Sequence, residues 1–149
     1  MDENQENLYA GFWVRLGASL IDCIILTAIT LPILYLTYGD SYWSQSSPLI
    51  MGNVDILVSW ILPVIGTILL WHYWSGTPGK LALKLAVVDA ATGKNLTVSQ
   101  SIIRYFAYFL SALPLGLGFI WVAWDKKKQA WHDKLAKSVV VKRINETAL

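Results

Sequence analysis

Three polar side chains lie on one face of the first apolar stretch of the chain: Arg15, Ser19 and Asp22. Positions four and seven residues apart share a face of an α-helix, so these side chains would form one polar stripe about 10 Å long. A carboxylate near the bilayer centre costs roughly 2.5 to 3.5 kcal/mol, and Asp22 must therefore face protein groups or water. Asp22 is either a structural clamp between helices or part of an ion or proton pathway.

Arg15 needs a partner of its own. Helical side chains tilt toward the N-terminus of their helix, so Arg15 points away from Asp22 and a direct pair within this helix is not expected. Its guanidinium either reaches the headgroup region at the membrane interface or meets an acidic group from elsewhere in the chain.

A second polar combination, His132 beside Asp133, suggests a metal ligand or a base–acid pair. Neighbours in sequence rarely converge on one point, and His72 is the only other histidine, so we predict no metal site and no cofactor. The sequence also shows no Ser-His-Asp set and no pair of catalytic carboxylates. We therefore expect no enzymatic activity.

The stretch GTPGK, residues 76–80, partly resembles the sequence of a phosphate-binding loop. A Walker A motif requires a glycine where this chain has Trp74, so the motif is not matched. Pro-Gly pairs are common in tight turns, and we predict a turn here.

The elements that must position these residues are apolar. Of the 149 residues, 55% are hydrophobic and 15% charged, a composition typical of membrane proteins. Residues 12–36 and 56–74 are each long enough to cross a bilayer as a helix, with a kink expected near Pro63 in the second. The sequence predicts a single domain over residues 1–149, with an all-α membrane fold built on two transmembrane helices.

A third apolar segment, residues 102–124, is interrupted by PLGLG at residues 114–118. Eleven of the twelve basic residues follow Ser75, which places both termini in the cytoplasm by the positive-inside rule. Full crossing of the third segment would put seven of them outside. We therefore favour a re-entrant hairpin with its turn enclosed by protein, over a third or fourth span.

Two short β-rich runs flank the third segment, in the predicted cytoplasmic parts 75–99 and 125–149. Residues 81–89 and 138–144 both favour strands, and they could pair as a small sheet if the third segment returns to its starting side. The stretch TVSQ, residues 97–100, has the form of a capping box and should begin the helix that carries Arg104.

The remaining basic and aromatic residues fit a membrane surface. We expect contacts between anionic lipid headgroups and three lysines, Lys126, Lys127 and Lys128. Membrane topology accounts for the positions of the basic residues, so we predict no binding of nucleic acid. Tryptophans are expected at the two interfaces, with one group near one surface and another toward the opposite surface: Trp13, Trp71, Trp74 and Trp124, then Trp43 and Trp60.

Taken together, three stretches resemble the RDD family of small integral membrane proteins, which is named for an arginine and two aspartates. They are AGFWVRLGASLID, the region beginning GTPGKLALKLAVVD, and DKKKQAWHDKLAKSVVVK. The resemblance places the family signature on Arg15, Asp22 and Asp133. Lys84 and Lys137 depart from the family pattern, but neither belongs to the signature.

The resemblance implies that Arg15 and Asp133 close a charge pair at the inner mouth of the helix bundle, with Asp22 as a deeper titratable group. Secondary candidates for functional residues are Ser19, Arg104 and His132. A transport role has been proposed for the family.

Two functions follow from these features. The first is small-ion or proton-coupled transport in the cell membrane, for which so short a chain would need to form a homo-oligomer. The second is a membrane scaffold or accessory subunit whose polar residues join helices to one another or to a partner.

Overall fold

Two long helices dominate the fold. The computed structural model describes residues 8–46 and 48–142, and within them two helices are long and apolar enough to cross a membrane. Helix α1 is Phe12–Tyr38, followed by a 3-10 turn, and helix α2 is Asn53–Trp74. At 1.5 Å per residue they are about 40 and 33 Å long, against a hydrocarbon core of roughly 30 Å. The two predicted spans are confirmed as helices.

Helix α2 contains a widened turn in place of a simple proline kink. Residues Ile56–Ile61 form a π-helical turn in which the N–H of Leu62 donates to the carbonyl of Leu57, five residues earlier. Pro63 follows at once and has no N–H to donate. The wider turn accommodates the proline, as π-turns inside helices commonly do at irregular positions.

The third apolar segment is bent, as predicted. Helix α4, Val98–Ala112, is followed by helix α5, Leu117–Ile120, and a 3-10 turn at Trp121–Ala123, and the two parts meet at 110°. The first turn of α4 has the predicted capping box. The Thr97 hydroxyl accepts from the backbone N–H of Gln100 at 3.1 Å, and the side-chain oxygen of Gln100 accepts from the backbone N–H of Thr97 at 3.0 Å.

The turn of this hairpin is not enclosed by protein, contrary to the prediction. Leu113 is 77% exposed and Leu115 is 98% exposed. The backbone of the turn is satisfied locally, since the N–H of Gly116 donates to the carbonyl of Ala112 at 3.1 Å. Local hydrogen bonds remove the need for surrounding protein groups.

Helix α4 has its faces reversed relative to a surface helix of a soluble protein. Its buried residues are small or polar, whereas its exposed residues include large apolar ones: Ser101, Arg104, Ala107 and Ser111 inside, and Ile102, Ile103, Phe106, Phe109 and Leu110 outside. In water the apolar face would turn inward. The reversal is typical of a helix that meets lipid on its outer side.

A two-stranded sheet joins the two flanks of the third segment. Strand β1 is Leu85–Asp89 and strand β2 is Ser138–Lys142, paired antiparallel with Leu85 opposite Lys142 and Val87 opposite Val140. Helix α6, Trp131–Leu135, lies between the hairpin and β2. The predicted strand pairing is confirmed; residues 143 and 144 of the second predicted strand lie outside the described residues.

The predictions for residues 76–84 are wrong. The GTPGK stretch does not form a tight turn but begins helix α3, Pro78–Ala82, and the strand begins only at Leu85. Proline is well tolerated in the first helical turn because its missing N–H would have no helical partner. Lys84 adopts a left-handed backbone conformation, φ 57°, which separates helix from strand.

The sheet is attached to the N-terminal end of α1, near Phe12, and to the C-terminal end of α2, near Trp74. The N–H of Ala10 donates to the carbonyl of Val140 at 2.9 Å, and the N–H of Val87 donates to the carbonyl of Ser75 at 2.5 Å. A buried apolar cluster fills the space between the sheet and these helix ends: Ala10, Ala18, Trp71, Leu85, Val87, Leu96 and Val140.

Trp71 corrects the prediction for the tryptophans. It is 1% exposed and belongs to the buried cluster, so it does not anchor an interface. Trp13 and Trp124, from the same predicted group, are exposed, as are Trp43 and Trp60.

Candidate functional site

Asp133 is the centre of a buried group of charges, the Arg–Asp cluster of Arg15, Arg104 and Asp133. The carboxylate lies in the first turn of α6 and is fully buried. Its Oδ2 accepts from Arg15 Nη1 at 2.5 Å and from the N–H of Ala130 at 2.9 Å, and its Oδ1 accepts from Arg104 Nη1. The contact between Arg15 and Asp133 that the family resemblance implied is present.

Arg15 connects three parts of the chain through one guanidinium. Besides Asp133, its Nε donates to the carbonyl of Ala10 at 3.0 Å and its Nη2 donates to the carbonyl of Lys128. The planar fork of an arginine suits such divergent acceptors, which a lysine could not reach together. Arg15 therefore fixes the first turn of α1 against the segment that leads into α6.

Arg104 occupies the inner face of α4 and has no solvent exposure. Its Nη1 also donates to the Ser138 hydroxyl at 2.7 Å, while Nε and Nη2 have no hydrogen-bond partner among the described residues. The guanidinium carbon lies 5.1 Å from the ring centre of Trp71 and 5.8 Å from that of Tyr108. Aromatic faces attract a desolvated cation and partly replace the missing acceptors.

The electrostatics of the cluster favour an ionised Asp133. Burial by itself would raise the pKa of Asp133, but the guanidinium groups of Arg104 and Arg15 outweigh burial and hold it well below its usual range. Two arginines face one aspartate, so the cluster carries a net charge of +1. A site that is already positive would repel a metal cation.

His132 lies beside the cluster as a neutral ring. Its Nδ1 is 3.2 Å from the Ser111 hydroxyl, which also accepts from the backbone N–H of His132, and its ring centre is 4.1 Å from that of Tyr108. Burial lowers the pKa of His132 well below its usual value, and the neighbouring Asp133 offsets this only in part. The ring is therefore uncharged at neutral pH.

Asp22 belongs to a different contact, about two helical turns deeper along α1. Its Oδ2 accepts from the Thr77 hydroxyl at 2.5 Å and its Oδ1 accepts from the N–H of Gly79 at 2.6 Å. Asp22 thus caps the start of α3, where free N–H groups and the helix dipole favour a negative charge. A side chain at Gly79 would overlap the carbonyl of Ala18, so glycine is needed for this close approach.

A cavity of about 420 Å³ opens next to the Arg–Asp cluster, between α1, α3, the hairpin and α6. Its polar lining comes from Arg15, Ser19, Lys80, Tyr108 and His132, and its apolar lining includes Phe12, Leu16, Phe119 and Ile120. Its volume lies within the range of small-molecule sites, roughly 300 to 1,000 Å³. The arrangement can hold a small charged or amphipathic ligand.

The candidate residues fall into three places. Arg15, Arg104, His132 and Asp133 meet at the cluster, Ser19 lines the cavity, and Asp22 lies apart at α3.

Sequence reasoning missed four groups that complete these sites: Lys80, Tyr108, Ser111 and Ser138. The spacing of Ser101, Arg104 and Ser111 along one face of α4 was a signal for a polar inner face.

The three predicted headgroup lysines differ in their surroundings. Lys126 and Lys127 are exposed, whereas Lys128 is half-buried and its carbonyl is the acceptor for Arg15. The backbone of this segment is thus part of the cluster, while the two exposed side chains are open to contacts outside the described chain.

Comparison with known proteins gives relatives along most of the chain. Residues 9–137 match the family model of the RDD family. The chain is 31% identical to the uncharacterized protein YxaI of Bacillus subtilis over 147 residues, covering 89% of this chain and 96% of that protein. It is 26% identical to the uncharacterized membrane protein YteJ of Bacillus subtilis, over 89% of this chain and 80% of that protein.

A longer relative is also similar. The proline-rich antigen homolog of Mycobacterium tuberculosis is 32% identical over 111 residues, which cover 70% of this chain but only 45% of that protein. No solved structure matches the chain. The two apolar helices and the membrane-protein relative together indicate a membrane protein. With the family match over most of its length, the chain belongs to the RDD family.

Proposed function

We propose that this protein transports a small ion across the cell membrane and that the cavity beside the Arg–Asp cluster is its binding site. The observation that carries the proposal is the cavity itself, which brings charged side chains to the apolar surface of α1 and the hairpin. Broken helices that line polar sites are a recurrent feature of transporters.

The contacts of Asp22 move the proposed ion site away from this residue. Both carboxylate oxygens accept hydrogen bonds at the start of α3, one from the Thr77 hydroxyl just before the helix and one from the N–H of Gly79 within it, as a structural clamp requires. Arg15, Lys80 and Ser19, by contrast, face the cavity. We therefore place ion binding at the cavity and a structural role at Asp22.

Ion flux into proteoliposomes tests the proposal. Ser19→Phe would fill the cavity from an exposed position on α1 and should reduce flux to the level of empty liposomes. The matched control is Thr27→Phe, an exposed position two turns further along the same helix, which should retain wild-type flux. Equal flux in both variants, or wild-type flux no greater than that of empty liposomes, would contradict the proposal.

A self-assembled state is part of this proposal. The two long helices and one bent segment found among the described residues are too few to enclose a path across a bilayer, and large apolar side chains are exposed along α1, α2 and α4. We propose a homo-oligomer in which some of this surface lies against other copies. Cross-linking in native membranes should give a ladder of multiples of one chain, and monomers alone would contradict it.

Anionic lipid is the second proposed contact. Lys126 and Lys127 are exposed beside Trp124, which suits a position at a headgroup layer. By the same charge distribution both termini lie in the cytoplasm. Reporter fusions at each end should both give cytoplasmic signals, and an external C-terminus would contradict the predicted hairpin.

A scaffold or accessory role is the alternative function. It is favoured by the number of elements that the polar residues join: Arg15, Asp22 and Arg104 all make structural contacts. Purification in mild detergent separates the two functions. A larger protein recovered at constant ratio favours the scaffold, whereas a pure homo-oligomer with ion flux favours transport.

A further inference from the structure

Lys80 is the least expected group in the cavity wall. It lies in α3, is only 6% exposed, and makes no hydrogen bond or ion pair with any residue that the structure describes. Burial removes most of the side chain from bulk water, and the ammonium reaches the cavity without an acceptor from the described residues. Such a group indicates a partner that is not part of the described chain.

The charges around Lys80 specify the sign of that partner. Arg15 lines the same cavity, and none of the described residues in its lining carries a carboxylate. The two nearest signature carboxylates are occupied: Asp22 by α3, and Asp133 by both arginines of the cluster. Arg15 is already paired with Asp133, so the cavity is bordered by the Lys80 ammonium and by a cluster with a net charge of +1. The ligand that these charges favour is negatively charged.

The rest of the cavity specifies a ligand that is only partly polar. Leu16 and Ile120 are exposed where the cavity meets the outer surface, next to the exposed Ser19. A fully hydrated anion would leave this apolar wall without contacts. An amphiphile with an anionic head inside and an apolar tail along Leu16 and Ile120 would use both parts of the wall.

We infer that the cavity binds the phosphate headgroup of an anionic lipid, with Lys80 and Arg15 as the phosphate-binding side chains and Ser19 as a hydroxyl donor. Phosphate oxygens accept several charge-assisted hydrogen bonds, which lysine and arginine commonly supply. The inference goes beyond the proposed function, because it assigns a bound lipid to the same cavity, and lipid binding can be measured without flux.

Native mass spectrometry of the full chain, released from a neutral detergent, tests the inference. Phosphatidic acid and phosphatidylcholine with identical acyl chains are the two probes, and the apparent Kd of the first adduct is measured. Phosphatidic acid should bind more tightly. Lys80→Met should weaken its binding at least about tenfold, the loss expected for one charge-assisted hydrogen bond, and Lys80→Arg should restore most of it.

Two controls separate the cavity from the surface and from loss of folding. Lys94→Met removes an exposed lysine and should leave the first Kd unchanged. The double variant Lys126→Gln and Lys127→Gln should reduce later adducts but not the first. If Lys80→Met fails to fold, Ser19→Phe provides a second variant that blocks the cavity without removing a charge.

Three results would overturn the inference. One is equal binding of the two lipids, and another is first-adduct binding that neither Lys80→Met nor Ser19→Phe weakens. The third is Lys80-dependent binding of inorganic phosphate without any preference for phosphatidic acid, which would assign a free anion to the cavity. Lipid binding without ion flux would leave the inference standing and refute transport, and flux without selective lipid binding would do the reverse.

Discussion

The two signature aspartates perform different tasks in the same protein. Asp133 is fully buried and neutralised by two arginines from α1 and α4, whereas Asp22 is half-buried and accepts from the Thr77 hydroxyl just before α3 and from a backbone N–H in its first turn. Asp133 is thus part of an ion cluster, and Asp22 is a helix cap supplied from another helix. The difference shows that a carboxylate removed from bulk water can be accommodated by opposite charge or by a helix N-terminus.

Removal of the Asp133 charge should have the largest effect on the free energy of unfolding. Asp133→Asn keeps the shape of the side chain but leaves two guanidinium groups facing each other without an anion. We expect the free energy of unfolding to fall by about 3 to 5 kcal/mol, measured by reversible unfolding in mixed micelles. Asp125→Asn, which breaks a partly exposed pair with Lys134, should cost about 1 kcal/mol or less. Equal costs would contradict the role given to Asp133.

The approach of α3 to α1 can be blocked directly. Gly79→Ala introduces a methyl group against the carbonyl of Ala18 and should cost about 1 to 3 kcal/mol, because the helices must move apart. Gly66→Ala is the matched control, since its added methyl group meets nothing within 4 Å. It should be neutral or stabilise slightly. Tolerance of Gly79→Ala with unchanged unfolding would show that α3 does not pack at this site.

Loss of the cap should have a smaller effect. Asp22→Ala removes both acceptors from the start of α3 and should cost about 1 kcal/mol, the usual value for a helix cap. Asp40→Ala, at an exposed position beyond α1, should cost less. A cost for Asp22→Ala as large as that of Asp133→Asn would mean that the two carboxylates are not different in kind.

The smallest expected effect is a pH dependence from His132. Its folded-state pKa lies well below the ordinary 6.5, so the stability it contributes is complete above pH 6.5 and is lost as the pH falls below that value. Between pH 7 and pH 6 the loss should be about 0.7 kcal/mol. Unfolding measured at both pH values should show this loss in the wild type and not in His132→Gln. Identical pH slopes would contradict a neutral buried ring.

Part of this arrangement follows from local sequence rules. The two spans, the capping box at Thr97, the bend near Pro114 and the pairing of β1 with β2 all depend on periodicity and turn chemistry, and all are present. The meeting of Arg15 with Asp133 came from the family resemblance, because a separation of 118 residues carries no local signal.

Other parts could not be predicted from local rules. Pro-Gly within GTPGK fits a turn and a first helical turn equally well, and the choice was decided by Asp22, which supplies a cap from a different helix. Tryptophan is typical of membrane interfaces, but the ring of Trp71 packs against the buried Arg104 of α4. Both outcomes depend on tertiary contacts.

A double-mutant cycle tests the central claim most directly. Unfolding free energies of Arg15→Met, Asp133→Asn and the double variant should give a coupling energy of about 2 kcal/mol or more, since the two groups share a buried contact. The cycle of Asp22→Asn with Asp133→Asn should be additive within about 0.5 kcal/mol. Additive costs for Arg15 and Asp133, or strong coupling between the two aspartates, would contradict the account.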